Sequence, residues 1–140
     1  MRSRGLVLVF IAGLLLPVGC GAPDITGDVS DYAAAVNGSR TRQCDCHGLL
    51  GYASIGECKD GLGDVTQDGQ ACIESALAGE EERGAEFLPC ATTAYMGYSD
   101  CLAANVNCDE SALMLCTSAL DTALDACSES DLRGSIEACL

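Results

Sequence analysis

Residues 90–127 read CATTAYMGYSDCLAANVNCDESALMLCTSALDTALDAC, and the cysteine spacing in this stretch decides the fold. Cys90 and Cys101 lie 11 positions apart, and so do Cys116 and Cys127. Eleven helical steps of about 100° close three turns with roughly 20° left over, so each pair faces one side of its helix at two levels about 16 Å apart. An antiparallel hairpin about a turn near Asn107-Cys108-Asp109 brings Cys90 level with Cys127 and Cys101 level with Cys116, as two rungs of one ladder. A disulfide accepts Cα separations of only about 4.4 to 6.8 Å. Ala91, Ala94, Ala104, Ala112 and Ala119 supply the small side chains that such close packing requires. In the chain-entropy model a loop of about 15 residues closed in this way contributes roughly 3 kcal/mol, a large share of the about 5 to 15 kcal/mol by which a domain is stable.

The apolar pattern supports helices on both sides of the turn. Phe87, Ala91, Ala94, Tyr98, Cys101 and Leu102 trace one face of a helix from about Glu82 to Asn105, which starts in the acidic run Glu80-Glu81-Glu82 as the helix dipole favours. After the N-cap candidate Asp109, Leu113, Cys116, Leu120, Leu124 and Cys127 recur at steps of three and four. Ser128-Glu129-Ser130-Asp131 reads as the cap of a last helix carrying Leu132, Ile136, Cys139 and Leu140. That helix, running back along the hairpin for about 12 residues at about 1.5 Å each, brings Cys139 near Cys108 and suggests a third pair.

Upstream, Cys72, Ile73, Ala76 and Leu77 fall at helical spacing before Gly79, and the Gly-rich stretch from Cys44 to about Asp64 reads as loop and short helical turns. Asp28 or Ser30 is expected to cap a helix through Val36, with Asn37-Gly38 as its stop signal. Cys44, Cys46, Cys58 and Cys72 are left to pair among themselves, with three connectivities open. No long alternating strand pattern occurs, so the expected class is all-α: a small, disulfide-stapled, cysteine-rich helical domain over residues 28–140.

The amino terminus reads as an export signal. Basic Met1-Arg2-Ser3-Arg4 precedes an apolar run of 11 residues, Leu6 to Leu16, which is shorter than the roughly 20 residues of a membrane span. Leu16-Pro17-Val18-Gly19-Cys20 resembles the lipobox of bacterial lipoproteins, with Leu16 one step further from the cysteine than the family pattern has it. The resemblance implies a signal peptide over residues 1–19, lipidation of Cys20, and an anchor and tether over residues 20–27. It implies a place in the bacterial cell envelope, at the outer membrane or cell surface. The alternative is cleavage after Ala22 and secretion, although Pro23 would then follow the scissile bond.

Parity agrees with the lipobox, because removing Cys20 from eleven cysteines leaves ten, enough for five disulfides in an oxidising compartment. The chain as a whole resembles the small cysteine-rich, Ala-rich helical lipoproteins of myxobacteria. Its paired spacing is similar in geometry to the twin-cysteine hairpins of mitochondrial intermembrane-space proteins, which have nine intervening residues where this chain has ten. These resemblances imply location and architecture and no activity.

Charge and composition narrow the function classes. Beyond the signal, five basic residues stand against 21 acidic ones, a surface that repels nucleic acid and anionic headgroups. Membrane contact is therefore expected through the lipid anchor alone. Beyond the signal the aromatic residues are only Tyr32, Tyr52, Phe87, Tyr95 and Tyr98, so cross-links must supply stability that a larger core would give.

Cys44-Asp45-Cys46-His47 has ligand types for zinc but lacks the two-residue spacing of haem attachment, and disulfides are the expected use of its cysteines. Asp64, Thr66 and Asp68 before Gly69, with Glu74 beyond, are similar to the start of a calcium loop, but the twelfth position is Ser75. The plainer reading, and the favoured one, is that Thr66 or Asp68 caps the helix carrying Cys72. His47 is the only histidine and no nucleophile elbow or phosphate loop is present, so neither catalysis nor a cofactor is expected. The resulting expectation is a non-enzymatic binding or structural module with an unknown protein or envelope partner, the alternative being a small secreted effector or inhibitor.

Overall fold

A computed structural model describes residues 21–140 of the chain, and the signal segment 1–19 and Cys20 lie outside it. All regular elements among the described residues are helical: α1 (Thr26–Gln43), a 3-10 segment (Cys44–Leu50), α2 (Ile55–Leu62), α3 (Gln67–Ala76), α4 (Glu81–Ala104), α5 (Glu110–Asp125), a second 3-10 turn (Ser130–Leu132) and α6 (Arg133–Glu137). None of these helices is long and apolar enough to cross a membrane.

The longest helix, α4, organises the domain, with α1 packed along one side of it and α5 returning antiparallel beside it. The main core lies between α1 and α4, where Val29, Tyr32, Ala33 and Val36 meet Phe87, Leu88 and Ala91, and α3 adds Ile73 and Leu77. Tyr32 packs edge-on against Tyr95 at 5.6 Å between ring centroids. Burial raises both phenol pKa values and keeps the pair neutral. Toward the hairpin tip a second cluster forms from Tyr98, Leu102 and Cys116. Two tyrosines and one phenylalanine thus hold much of the interior, in keeping with the small aromatic content.

Five disulfides cross-link these helices. Cys90–Cys127 and Cys101–Cys116 join α4 to α5 and its C-terminal end, at Cα separations of 5.8 and 5.7 Å, as the two rungs that the spacing requires. Cys44–Cys58 closes the segment after α1 onto α2. The remaining pairs differ from expectation: Cys108 bonds to Cys46 and Cys139 bonds to Cys72. The reason is the last helix, which ends at Glu137 and docks on α3 instead of climbing the hairpin. A Cβ on Gly69 would stand 3.2 Å from the Cys139 carbonyl oxygen, which shows how closely the C-terminal segment lies on α3. Cys44, Cys46, Cys58 and Cys72 therefore do not form a closed set.

Three local readings are also corrected. The helix begins at Thr26, whose N–H donates to the Asp24 carboxylate at 3.0 Å, and neither Asp28 nor Ser30 caps it. Ile25, just before it, is already in the core. Asn37-Gly38 does not stop α1, which continues to Gln43. The Asn37 side chain is used elsewhere: its Oδ1 accepts from the Val65 N–H at 2.7 Å and its Nδ2 donates to the Val65 carbonyl at 3.3 Å. This amide pairs with an isolated backbone unit as a strand neighbour would, and anchors the loop before α3.

Ser128-Glu129-Ser130-Asp131 does not cap α6 either. Glu129 adopts a left-handed conformation (φ 61°), and Glu129 and Asp131 accept from the Arg83 guanidinium, which also bonds Glu80. This cluster ties the start of α4 to the connection after α5. Asp109, in contrast, takes its expected place, accepting from the Ala112 N–H at 2.9 Å.

Candidate functional site

The two faces of the α4–α5 hairpin differ in what covers them. One is covered by α1, which packs along α4. The other is open and holds a groove of about 540 Å³ between the two disulfide rungs. Cys90 on α4 and Cys101–Cys116 mark its two ends, Gly97 and Ala119 lie between them, and Tyr98 and Leu120 line it on the side of the core.

Helical geometry explains why the groove is shallow-walled and apolar. On α4, Glu86, Thr93, Gly97, Asp100 and Ala104 fall within about 60° of one another and all are exposed. On α5, Ala112, Leu115, Ala119 and Ala123 fall within about 80°, and Leu115 is 72% exposed. Between the rungs neither helix carries a large side chain on this face. A volume of this order is within the about 300 to 1,000 Å³ of ordinary ligand sites.

The polar groups in the lining are the hydroxyls of Thr93 and Tyr98. Thr93 Oγ1 donates to the Pro89 carbonyl of its own helix at 3.0 Å. Tyr98 is buried, and its Oη accepts from Gln43 Nε2 at 2.8 Å, which joins the end of α1 to the groove lining. Such a surface can desolvate an apolar face, and neither hydroxyl is placed against a general base.

Gly97 is the functional candidate that sequence reasoning missed. Glycine costs a helix interior about 1 kcal/mol relative to alanine, so it calls for a reason. Gly84, the buried glycine of α4, has one: a Cβ there would stand 3.1 Å from Leu77 Cδ1. A Cβ at Gly97 would meet nothing within 4 Å, as is also true of the exposed Gly38 in α1. The available signal was a glycine set midway between two cysteines of a helical ladder.

The other sequence candidates are placed as follows. Thr66 Oγ1 accepts from the Gly69 N–H at 3.4 Å and caps α3, so the segment holding Asp64, Thr66, Asp68 and Glu74 is used as a helix start. Among the described residues no group of three His, Cys, Asp or Glu side chains is gathered as a metal site. Cys44 and Cys46 are both in disulfides, which removes the thiolates that a zinc site with His47 needs. His47 lines a smaller hollow of about 290 Å³ beside Cys46–Cys108, and its buried Nδ1 has no hydrogen-bond partner there.

The fold and the groove together define a disulfide-laddered, all-helical domain with one open apolar face. No family model, curated protein or solved structure matches the chain.

Proposed function

We propose that this chain is an exported, lipid-anchored and non-enzymatic binding module of the bacterial cell envelope, with the open face of the α4–α5 hairpin as its working surface. The observation that carries the proposal is the cysteine inventory. All ten cysteines from Cys44 to Cys139 are paired in five disulfides. Cys20, in its lipobox-like setting, is the one cysteine left over for another chemistry. Five disulfides favour an oxidising compartment, where they persist. An apolar groove without an assembled set of reactive groups favours binding over catalysis.

Anchoring is tested by membrane fractionation and intact mass. The wild-type protein is expected in the membrane pellet, with a mature mass that begins at Cys20, includes acyl chains and lacks two hydrogens per disulfide. Cys20→Ser is expected in the soluble fraction. A wild-type protein that is soluble and begins after Ala22 would overturn lipid anchoring in favour of a secreted effector.

A further inference from the structure

We propose that the Cys46–Cys108 disulfide is a thiol-exchange site, at which a peptide cysteine flanked by apolar residues is captured as a mixed disulfide on Cys108 while Cys46 leaves as the free thiol. The site lies at the hairpin tip and shares no lining residue with the groove between the rungs. It goes beyond the reading of that groove as the working surface and depends neither on it nor on lipid at Cys20.

Accessibility singles out two of the five disulfides. Cys44, Cys58, Cys116 and Cys127 are buried, so each of the three pairs that hold them is shielded at one cysteine or both. In Cys46–Cys108 and in Cys72–Cys139 both cysteines reach solvent. Exchange requires a thiolate to reach a disulfide sulfur, and exposed or strained bonds are the labile ones.

Three features separate Cys46–Cys108 from Cys72–Cys139. Cys108 is held at φ 52°, a left-handed conformation that disfavours a residue with a side chain, and no other cysteine among the described residues has a positive φ. Opening the bond lets this turn relax. Second, a hollow of about 290 Å³ beside the pair is lined by Gly48 and the exposed Leu49, which leaves room for an apolar side chain next to the reacting cysteine. Asp45 also lines it and disfavours an acidic thiol. Third, His47 lines the same hollow, and its buried Nδ1 has no hydrogen-bond partner. A buried polar atom left unpaired calls for a reason, and a proton to be moved is one.

The incoming thiol gives its proton to solvent, and its thiolate attacks Cys108 Sγ. A new S–S bond forms as the Cys46–Cys108 bond breaks, and the electron pair leaves on Cys46 Sγ. His47, the next residue, supplies the proton that makes Cys46 a thiol and regains one from solvent. One disulfide replaces another, so neither an oxidant nor a reductant is consumed. Attack at Cys108 puts the leaving sulfur next to His47 in the chain, and a stabilised thiolate leaves faster. The fold survives the step, because Cys101–Cys116 still closes the hairpin and Cys44–Cys58 still holds the 3-10 segment to α2.

The test uses the purified, disulfide-bonded protein and an acetylated, amidated Leu-Cys-Leu peptide, with rapid acid quenching, alkylation of free thiols and peptide mapping by mass spectrometry. The peptide is expected on Cys108, with Cys46 alkylated, at least about tenfold faster than at any other pair. The circular dichroism spectrum should not change. His47→Ala should slow capture at least about threefold. A Glu-Cys-Glu peptide, compared per thiolate, should react more slowly. Cys46→Ser with Cys108→Ser should abolish the fast reaction and leave only that of the other pairs.

First reaction at Cys72–Cys139, equal reaction at the two open disulfides, or a peptide joined to Cys46 instead of Cys108 would overturn the proposal. So would capture at full rate by His47→Ala. Each of these outcomes is independent of whether Cys20 carries lipid.

Discussion

The covered and the open faces of the α4–α5 hairpin are made by the same helices, joined by the same two disulfides, yet they are filled by opposite rules. Under α1, positions at helical spacing hold Phe87, Leu88 and Ala91, and α1 contributes Tyr32 and Val36 to the same core. On the open side the corresponding positions hold Thr93, Gly97, Ala119 and Ala123. The contrast separates two uses of small residues. Ala91 is buried and lets α1 come close. Gly97 and Ala119 keep a surface clear that the domain itself leaves empty.

The comparison is broken most strongly on the covered face. Phe87→Ala should cost about 3–5 kcal/mol by removing a fully buried ring, whereas Thr93→Ala on the open face should stay within about 0.5 kcal/mol. Urea unfolding of the two variants with their disulfides intact measures the difference. A similar loss for both would mean that the open face is part of the core.

A rung matters equally to both faces. Replacing Cys101 and Cys116 together by Ala should lower stability by about 3 kcal/mol, the value for a loop of their 15-residue separation. Amide exchange should then rise first near the hairpin tip, where Tyr98 and Leu102 rest against Cys116.

On the open face the sign reverses. Gly97→Ala should raise stability by up to about 1 kcal/mol, because the added methyl meets no neighbour and the helix gains propensity. The same change at Gly84 should destabilise, since Leu77 Cδ1 lies 3.1 Å from the position of the new carbon. Thermal melts of the two variants give opposite shifts if the two glycines serve different purposes.

The smallest effect belongs to the hairpin turn that both faces share. The Ser111 hydroxyl and the Ala112 N–H bond the Asp109 carboxylate and hold its pKa below the ordinary value. A carboxylate with a lowered folded pKa adds stability above its unfolded pKa of about 4 and loses it as pH falls through the folded value. The Tm difference between wild type and Asp109→Ala should therefore be full at neutral pH and shrink as pH falls below about 4. A difference that does not change with pH would remove the charge from the cap.

How much was legible follows from the range over which each feature is decided. The rungs Cys90–Cys127 and Cys101–Cys116 were readable because the helix period fixes where residues 11 apart point, and one short turn fixes which levels meet. The Asp109 cap was readable because its partner lies three residues away. Asn37 was read as a stop because its local tendency is to end helices, and Val65, its actual partner, lies 28 positions further along. Nothing near Asn37 in the chain announces that pairing. Of the groove, the sequence showed small residues on two facing helices, and only the packing of α1 showed which side of the hairpin is left bare.

By itself, then, the amino-acid sequence determined the all-helical class, the hairpin with its two rungs, and the scarcity of aromatic core that makes cross-links necessary. Those follow from periodicity and composition, which are local or global properties of a chain and need no knowledge of how elements dock. The tertiary structure alone decided that Cys46 meets Cys108 and that Cys72 meets Cys139, at sequence separations of 62 and 67. A disulfide forms only where two Cβ atoms are brought to within bonding range. That approach is set by where α3, α6 and the 3-10 segment settle against α1 and α4, and the face left uncovered is set by the same settlement.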